Sequence, residues 1–597
     1  MWCKWLAKVL DGRRTVEPSL TRTRRLRWIG LGLAWILLCA APAVAAVPPA
    51  ASPGVQDQTI EPERRPGRPD MTPREPARID APARPGRPAK EAEGPKVFVK
   101  KFRITGNTVI STKKLEALVR SEEGKELTLE QLRAVAANVT EYYGSQGYIL
   151  ARAYLPPQDV REGAIEIAVL EGNVGEVEVT GTERYEPDVI KRALTRVRNR
   201  GAVHEGLLET AINDLNEYPG LNVRASLRPG AERGKTDILM TAQERSPITG
   251  MLDINNYGSR YTGPWKYGFE LGYGSVAGFG DKVTLRGIKS DDDLTFSRFH
   301  YQTPVGGYGT KLGFSFSHSE NGIGEEFASL NASGQQSNWS VEINQPFLKT
   351  AGANFEAFGL FESIRSKQFV LKVPAGVDDL RVFRLGFTGD LRDRFLGRWY
   401  YGLTYHQGLR WLGGSKKDDP GATRPDGPGD FAKLSLDLAR LQSLVYGGSY
   451  LVLRGSGQLS NQNLLTPEKY VIGGYYTVRG YPMAEQTGDQ GYVVSAELVV
   501  PVPWLREWVR LAGFIDHGGV FNVSRNKGAG EIDHWLTGVG GGLRFDLPIP
   551  TPYFGTSTVQ IRVDYAKPIL GPKPSSFKSG VTQGEPGVLY ISAAYRF

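Results

Sequence analysis

From Pro247 to Phe597 one pattern governs the chain: segments of alternating polarity, broken by Gly, Asn, Asp and Pro. Val283, Leu285 and Gly287 fall on one side of one segment, with Lys282, Thr284 and Arg286 on the other. Leu294, Phe296, Arg298 and His300 share a face of the next, and Leu312, Phe314 and Phe316 alternate with Lys311, Ser315 and Ser317. Successive side chains of a strand point to opposite faces, so a period of two with one apolar side marks strands between two media. About sixteen such segments of about ten to twelve residues suit a transmembrane β-barrel of antiparallel strands, even in number and long enough to cross tilted. A soluble sandwich array would carry more apolar faces on its inner side. Mean hydropathy of −0.32 also excludes a helical membrane protein.

The last segment fits the same scheme. Leu589, Ile591, Ala593, Tyr595 and Phe597 alternate with Tyr590, Ser592, Ala594 and Arg596. Tyr595 and the terminal Phe597 read as an assembly signal on a closing strand, offered to a barrel-assembly machinery, with outer-membrane lipid as the surrounding medium.

Ahead of this region, two stretches share one order of elements. In residues 97–172 a strand with a Gly106-Asn107 turn leads to a short helix over 112–119. Thr128 then caps a second helix with Gln131 as its capping-box partner, and Leu132, Val135, Ala136, Val139, Tyr142 and Tyr143 form its apolar face. Strands over 148–155 and 164–170 close the unit. Residues 173–245 repeat it: a strand over 174–181, a helix opened by Pro187, a helix over 204–217, and strands over 223–227 and 236–241. Each module, three strands with helices on one face, presents an open strand edge to which an extended peptide can add.

Residues 46–96 hold 12 prolines and the near-repeat Arg65-Pro-Gly-Arg-Pro69 and Arg84-Pro-Gly-Arg-Pro88. So few apolar residues do not offset ordering entropy, so a disordered, extended linker is expected. Residues 1–45 read as a secretory signal peptide: Arg22, Arg24, Arg25 and Arg27 precede the apolar run from Trp28 to Ala40, and Ala43-Val44-Ala45 offers a cleavage site. Pro42, Pro48 and Pro49 speak against an uncleaved anchor, and Leu38 before Cys39 against a lipoprotein site.

Several functions are excluded. The only cysteines, Cys3 and Cys39, lie in this leader, which removes disulfide scaffolds, cysteine catalysis and thiolate metal sites. Residues 1–45 carry eight Lys/Arg and two Asp/Glu of a chain whose formal charge is +9, so the remainder is only mildly basic and gives no case for nucleic acid. Six histidines without a clustered acid, serine or metal-ligand set point to no enzyme, no cofactor and no metal. Glu356 and Glu362 share a strand face but lie about 20 Å apart at strand rise, and Asp390 belongs to another strand, so they read as lumen charges.

Two short stretches stand out in the barrel region. Ile472 to Tyr481 reads Ile-Gly-Gly-Tyr-Tyr-Thr-Val-Arg-Gly-Tyr, and Gly513 to Gly518 reads Gly-Phe-Ile-Asp-His-Gly. The Arg479 fork and the Asp516 carboxylate have the geometry for a bidentate pair, and the glycines permit close backbone approach, as a tip docked in a narrow space requires.

With these motifs in this order, residues 97–597 resemble the TpsB-type two-partner secretion transporters, a branch of the barrel-assembly outer-membrane superfamily. The resemblance identifies residues 97–172 and 173–245 with POTRA domains and residues 246–597 with the barrel. Asn256, Gly258, Ser259, Thr262 and Gly263 match the family's first-strand motif. Val478, Arg479, Gly480 and Tyr481 match the tip of the long sixth extracellular loop, which folds back into the barrel. Phe514, Asp516 and Gly518 match the wall motif that holds it. The family's amino-terminal plug helix is not evident in 46–96. The resemblance implies an outer-membrane translocase whose periplasmic POTRA domains capture an unfolded TpsA-type exoprotein, with folding of the cargo outside as the drive. The alternative is an insertase for other barrels, whose members usually carry more than two POTRA modules. A diffusion porin would have no use for periplasmic modules.

Overall fold

The alternating segments close on themselves. In the computed structural model sixteen antiparallel strands form one closed barrel, from Ile248–Asn255 to Val588–Arg596, each paired with its neighbour in sequence. The structure describes residues 48–61, 68–69, 71, 77–81, 94–160, 162–424, 426–503, 505, 508–523, 534–551, 555–572 and 587–597. The expected signal peptide lies outside the described residues. Apolar side chains of the alternation face outward: Leu312, Phe314 and Phe316 are 40–45% exposed on the outer wall. Polar partners such as Thr284, Arg286, Ser317 and Asn338 are buried inside. This arrangement places the apolar faces toward lipid and the charges in a lumen where they pair. Glu356 lies 3.5 Å from Lys349, Glu362 pairs with Arg384, and Asp390 lies 3.0 Å from Arg398.

The strands run from 8 to 20 residues. Two of the longest, Ala353–Val370 and Val373–Arg392, extend past the span expected for a membrane, and Asp378 there accepts from the Thr423 backbone at 2.9 Å. The barrel closes where the first strand meets the last over five residue pairs, Met251↔Arg596 to Asn255↔Ser592. Phe597 extends that seam, exchanging backbone hydrogen bonds with Gly250 at 2.9 and 3.0 Å.

Both modules sit before the first strand. In the first, Lys101–Thr105, Ala164–Leu170 and Arg152–Tyr154 form the sheet, and helices Thr112–Val119 and Leu129–Ser145 pack on it. Thr128 and Gln131 make the reciprocal capping box, and Leu132, Val135, Ala136, Val139 and Tyr143 are buried. Glu171 fastens the turn before the first helix, accepting from the Thr108 and Val109 backbone at 2.7 and 3.0 Å and from the Tyr143 hydroxyl at 2.8 Å. Burial alone would raise its carboxyl pKa; the Thr108 hydroxyl and these N–H donors hold it below the ordinary glutamate value.

The second module carries helices Pro187–Ala193, Thr195–Arg200 and Glu205–Asn216 over strands Leu221–Pro229, Lys235–Glu244 and Asn173–Thr180. Its last helix docks on the barrel turns: Asn213 Nδ2 donates to Lys349 O at 2.6 Å, and Lys349 Nζ lies 3.1 Å from Asp214 and 2.7 Å from Glu217.

Three expectations need correction. Residues 46–96 are not wholly a disordered linker, and a helix does occupy the barrel: Pro53–Ile60 lies inside the lumen. Its sequence, Pro-Gly-Val-Gln-Asp-Gln-Thr-Ile, has no apolar stripe, so periodicity does not reveal it. Polar lumen groups stabilise it instead. Glu61 lies 3.0 Å from Arg286 and 2.8 Å from Arg298, Asp57 accepts from Asn338 at 2.9 Å, and Ala51 O accepts from Asn321 at 3.0 Å. Ile60 packs with Ile288, Leu294 and Phe296 on the wall. The edge of the second module is also not open throughout, because Ile79–Asp80 pairs in parallel with Leu221–Pro229.

Candidate functional site: a loop tip docked on the inner wall

Between strands Tyr450–Ser460 and Gln490–Pro501 the chain makes its longest described excursion, residues 461–489. A neck of two short paired strands, Tyr470–Ile472 and Gln486–Gly488, carries the tip. Gly473 and Gly474 have φ of +103° and +94°, which turns the backbone without a Cβ penalty, and Gly474 N–H bonds Val478 O at 3.2 Å. This hairpin projects Val478 to Tyr481 onto the wall.

There the structure brings Arg479 and Asp516 together. Arg479 Nε donates to Asp516 Oδ2 at 2.7 Å and Nη2 to Oδ1 at 2.9 Å, the bidentate fork, while its backbone N–H reaches Oδ2 at 3.2 Å. The guanidinium also lies 3.4 Å above the Phe514 ring centroid. Arg479 is 5% exposed and Asp516 1%, a drier site than a water-lined lumen would give. Val478 packs with Ile472, Val493, Val520, Tyr481 and Leu536. A Cβ at Gly518 would stand 3.1 Å from Val478 Cγ2, so that glycine makes room for the tip. Gly480, at φ +95°, donates to the Tyr590 hydroxyl at 3.2 Å, and Tyr481 Oη donates to Leu570 O at 2.8 Å.

The sequence motifs are only part of the site. Arg479 Nη1 also donates to Glu497 at 2.7 Å, Glu497 accepts from Arg544 at 3.1 Å, and Arg544 pairs with Asp564. The Ser495 hydroxyl donates to Asp516 at 2.6 Å. A chain of alternating charges therefore crosses four neighbouring strands. Gly538 is as necessary as Gly480: a Cβ there would lie 1.8 Å from Arg479 O. A signal for Glu497 existed in the period-two register, which puts Val493, Ser495 and Glu497 on one side; Gly538 had none beyond its composition.

The first-strand motif shapes the adjoining turn and clasps the seam. Asn256 Nδ2 donates to Leu589 O at 2.8 Å, and Ile591 N–H to Asn256 Oδ1 at 2.7 Å, the contact that joins first and last strands at their outer end. Gly258 N–H bonds Pro264 O at 2.9 Å with no space for a Cβ, Ser259 Oγ accepts from Tyr261 N–H at 3.2 Å, and Gly263 has φ +91°. Thr262 O accepts from the Ser290 hydroxyl at 2.6 Å. Tyr257, which follows Asn256, stacks on Tyr475 with centroids 3.8 Å apart, and Tyr590 of the last strand lies 5.5 Å from Tyr475. The docked tip thus touches both sides of the seam. Tyr595 and Phe597 lie at the seam's other end, ring centroids 5.6 Å apart, with the Phe597 ring filling the space left by Gly250.

Comparison with known proteins agrees with this fold. Residues 234–545 match the family described as haemolysin secretion/activation protein ShlB/FhaC/HecB, and residues 97–172 match the ShlB-type POTRA domain. The heme/hemopexin transporter protein HuxB of Haemophilus influenzae (strain 86-028NP) is 23% identical over 485 residues, covering 78% of this chain and 82% of the relative. The outer membrane transporter CdiB of Dickeya dadantii (strain 3937) is 22% identical over 419 residues, 68% of this chain and 73% of its own length. Among solved structures, CdiB from Escherichia coli superposes with a TM-score of 0.71 at 19% identity, over 97% of this chain and all of that one.

Proposed function

Because the chain belongs to the haemolysin secretion/activation protein family ShlB/FhaC/HecB, we propose that it exports an unfolded exoprotein through its barrel to the cell surface, by two-partner secretion. It is an outer-membrane transporter with its POTRA modules in the periplasm. The observation that carries the reading is the occupied lumen. One barrel holds both the helix Pro53–Ile60 and the tip 478–481, the helix tied mainly by ion pairs and polar contacts and the tip by an ion-pair network beside a small apolar cluster. Charged contacts in a polar channel are exchangeable for water, whereas a packed apolar plug is not. The lumen therefore has a closed arrangement that can be dissolved without unfolding the wall.

The modules supply recognition. Their strand edges bind an extended chain through main-chain hydrogen bonds, with alternating side-chain sites for selectivity. Tyr595 and Phe597 serve assembly of the barrel into the membrane by the barrel-assembly machinery. Residues 1–45 direct the chain out of the cytoplasm and are removed, and the following residues enter the lumen. Deleting residues 97–172 tests the reading. The barrel should still insert, judged by heat-modifiable gel migration, while secretion of a co-expressed TpsA-type exoprotein is abolished. Undiminished secretion would make the module a spacer and the reading wrong.

A further inference from the structure

Cations stand on the outer wall at a place where neither the lumen nor the modules use them. Along Ala353–Val370, Glu362 and Gln368 face inward, where Gln368 Nε2 donates to Ser52 Oγ at 3.0 Å, so Phe361, Ser363, Arg365 and Lys367 face outward. The neighbouring strand Val373–Arg392 presents Asp379, Arg381 and Phe383 on the same side, with Arg365 opposite Asp379 and Ser363 opposite Arg381. Arg365 lies ten residues along the strand from Phe355, whose ring meets Phe347 and Phe387 near the periplasmic end. That is about 33 Å at strand rise and about 25 Å of height once tilted, the full apolar band of such a barrel. Arg365 thus stands at the outer boundary of the membrane. Beneath it runs a row of rings, with Trp339 and Phe361 centroids 5.5 Å apart and Phe361 and Trp411 centroids 6.4 Å apart. Trp411 comes from the loop after strand Gly397–Gly408. Leu409 N–H bonds Arg381 O at 2.8 Å and Ser415 N–H bonds Asp379 O at 2.7 Å, and the residues between them lie over the outer wall. Trp411 is 59% exposed there.

An aromatic row at the boundary is common to membrane barrels, but folding does not require a surplus of cations directly above it. Arg365 and Arg381 share one carboxylate, Asp379, at 3.6 and 3.8 Å, too long for hydrogen bonds, so both forks keep donors to spare. Lys367 adds a third positive charge on the same face. Glu320, on the same wall, is engaged by Gln335 at 3.0 Å. We propose that Arg365, Lys367 and Arg381, over the floor of Trp339, Phe361 and Trp411, bind a phosphorylated glycolipid of the outer leaflet. The arginine forks grip phosphate oxygens through charge-assisted hydrogen bonds, and the lysine contributes a point charge. The acyl chains lie on the rings and on Leu412, which is also exposed. A phospholipid headgroup offers a single phosphate, whereas a diphosphorylated sugar matches three cations spread over two strands. The position selects a lipid over a protein, because the rings lie on the face that the barrel turns toward the membrane.

The experiment uses the full chain, purified in detergent with a chelator so that no divalent cation bridges phosphates. It is incubated with diphosphoryl lipid A and weighed by native mass spectrometry. The unsubstituted chain should retain at least one lipid A. Arg365→Gln, Lys367→Gln and Arg381→Gln together should weaken retention at least about tenfold, as expected for the loss of hydrogen bonds to a charged group. Trp411→Ser, in an exposed loop, should weaken it as well, and is read instead if the triple variant lacks the heat-modifiable migration of a folded barrel. Lys289→Gln removes an exposed cation elsewhere on the outer wall and should change nothing. Phosphatidylglycerol at the same concentration should not displace lipid A. Equal retention by the substituted and unsubstituted chains, or displacement by phosphatidylglycerol, would overturn the proposal. No exported protein takes part, so the outcome is independent of the translocase reading.

Discussion

Arg479→Ala is the perturbation whose cost the structure specifies most closely. Truncation removes two hydrogen bonds to Asp516, one to Glu497, and the contact with the Phe514 ring. The partners left behind fare differently. Glu497 keeps Arg544 at 3.1 Å, but Asp516 keeps the Ser495 hydroxyl and the backbone N–H of position 479. Breaking one side of a buried pair costs about 3–5 kcal/mol, and these residual donors place the loss near about 3. At about 1.4 kcal/mol per decade, that shifts the tip's docking equilibrium about 100-fold. Asp516→Ala should cost less, near the about 1.5–3 kcal/mol of hydrogen bonds to a charged group, since Arg479 retains Glu497. The double variant should fall short of the sum by about 0.5–3 kcal/mol, because no orphaned charge remains. Val478 and Tyr481 stay buried, each supporting the tip by about 1.5–3 kcal/mol, so docking becomes intermittent while the barrel stays closed. A spin label at Thr477→Cys reads docking from its line shape, alongside exported protein per inserted barrel. Unchanged mobility and export in Arg479→Ala, or strictly additive losses in the double variant, would refute the reasoning.

Three other outcomes follow from the same geometry. Gly538→Ala sets a methyl group 1.8 Å from Arg479 O and should expel the tip as Arg479→Ala does, with normal gel migration; a docked tip by spin-label line shape would contradict it. Glu61→Gln weakens the ties to Arg286 and Arg298 and should raise the frequency of open events in planar bilayers in potassium chloride. Glu171 has a folded pKa below its unfolded value of about 4.3, so its stabilising contribution is present above that value and is lost as pH falls through the lower folded one. Hydrogen exchange of residues 97–172 should therefore accelerate below about pH 4.3, and Glu171→Gln should flatten that limb.

The barrel was legible because its physics is local to each strand. The period of two in Leu312 to Ser317 reports lipid on one side and lumen on the other, whatever the strand pairs with. The capping box at Thr128 and Gln131 was legible for the same reason: four residues contain the whole interaction. Arg479 and Asp516 could be paired from their glycine-flanked settings, but Arg544 and Asp564 are single charges in β-runs whose partners lie on other strands. The lumen helix was hidden. Its stability comes from Arg286, Arg298 and Asn338, more than 200 residues away in sequence, so its own composition reads as solvated chain. The strand Ile79–Asp80 was hidden likewise, since two residues have no period and their partner is an edge distant in sequence.

The most direct test of export through this barrel is reconstitution. Vesicles containing this chain alone, with the modules facing outward, are given its unfolded TpsA-type exoprotein, without nucleotide. Exoprotein should become protected from added protease inside the vesicles, with Arg479→Ala reducing the protected fraction and removal of residues 97–172 abolishing it. If no exoprotein is protected while the same vesicles speed the insertion of an unfolded outer-membrane barrel, the chain is an insertase and the account is contradicted.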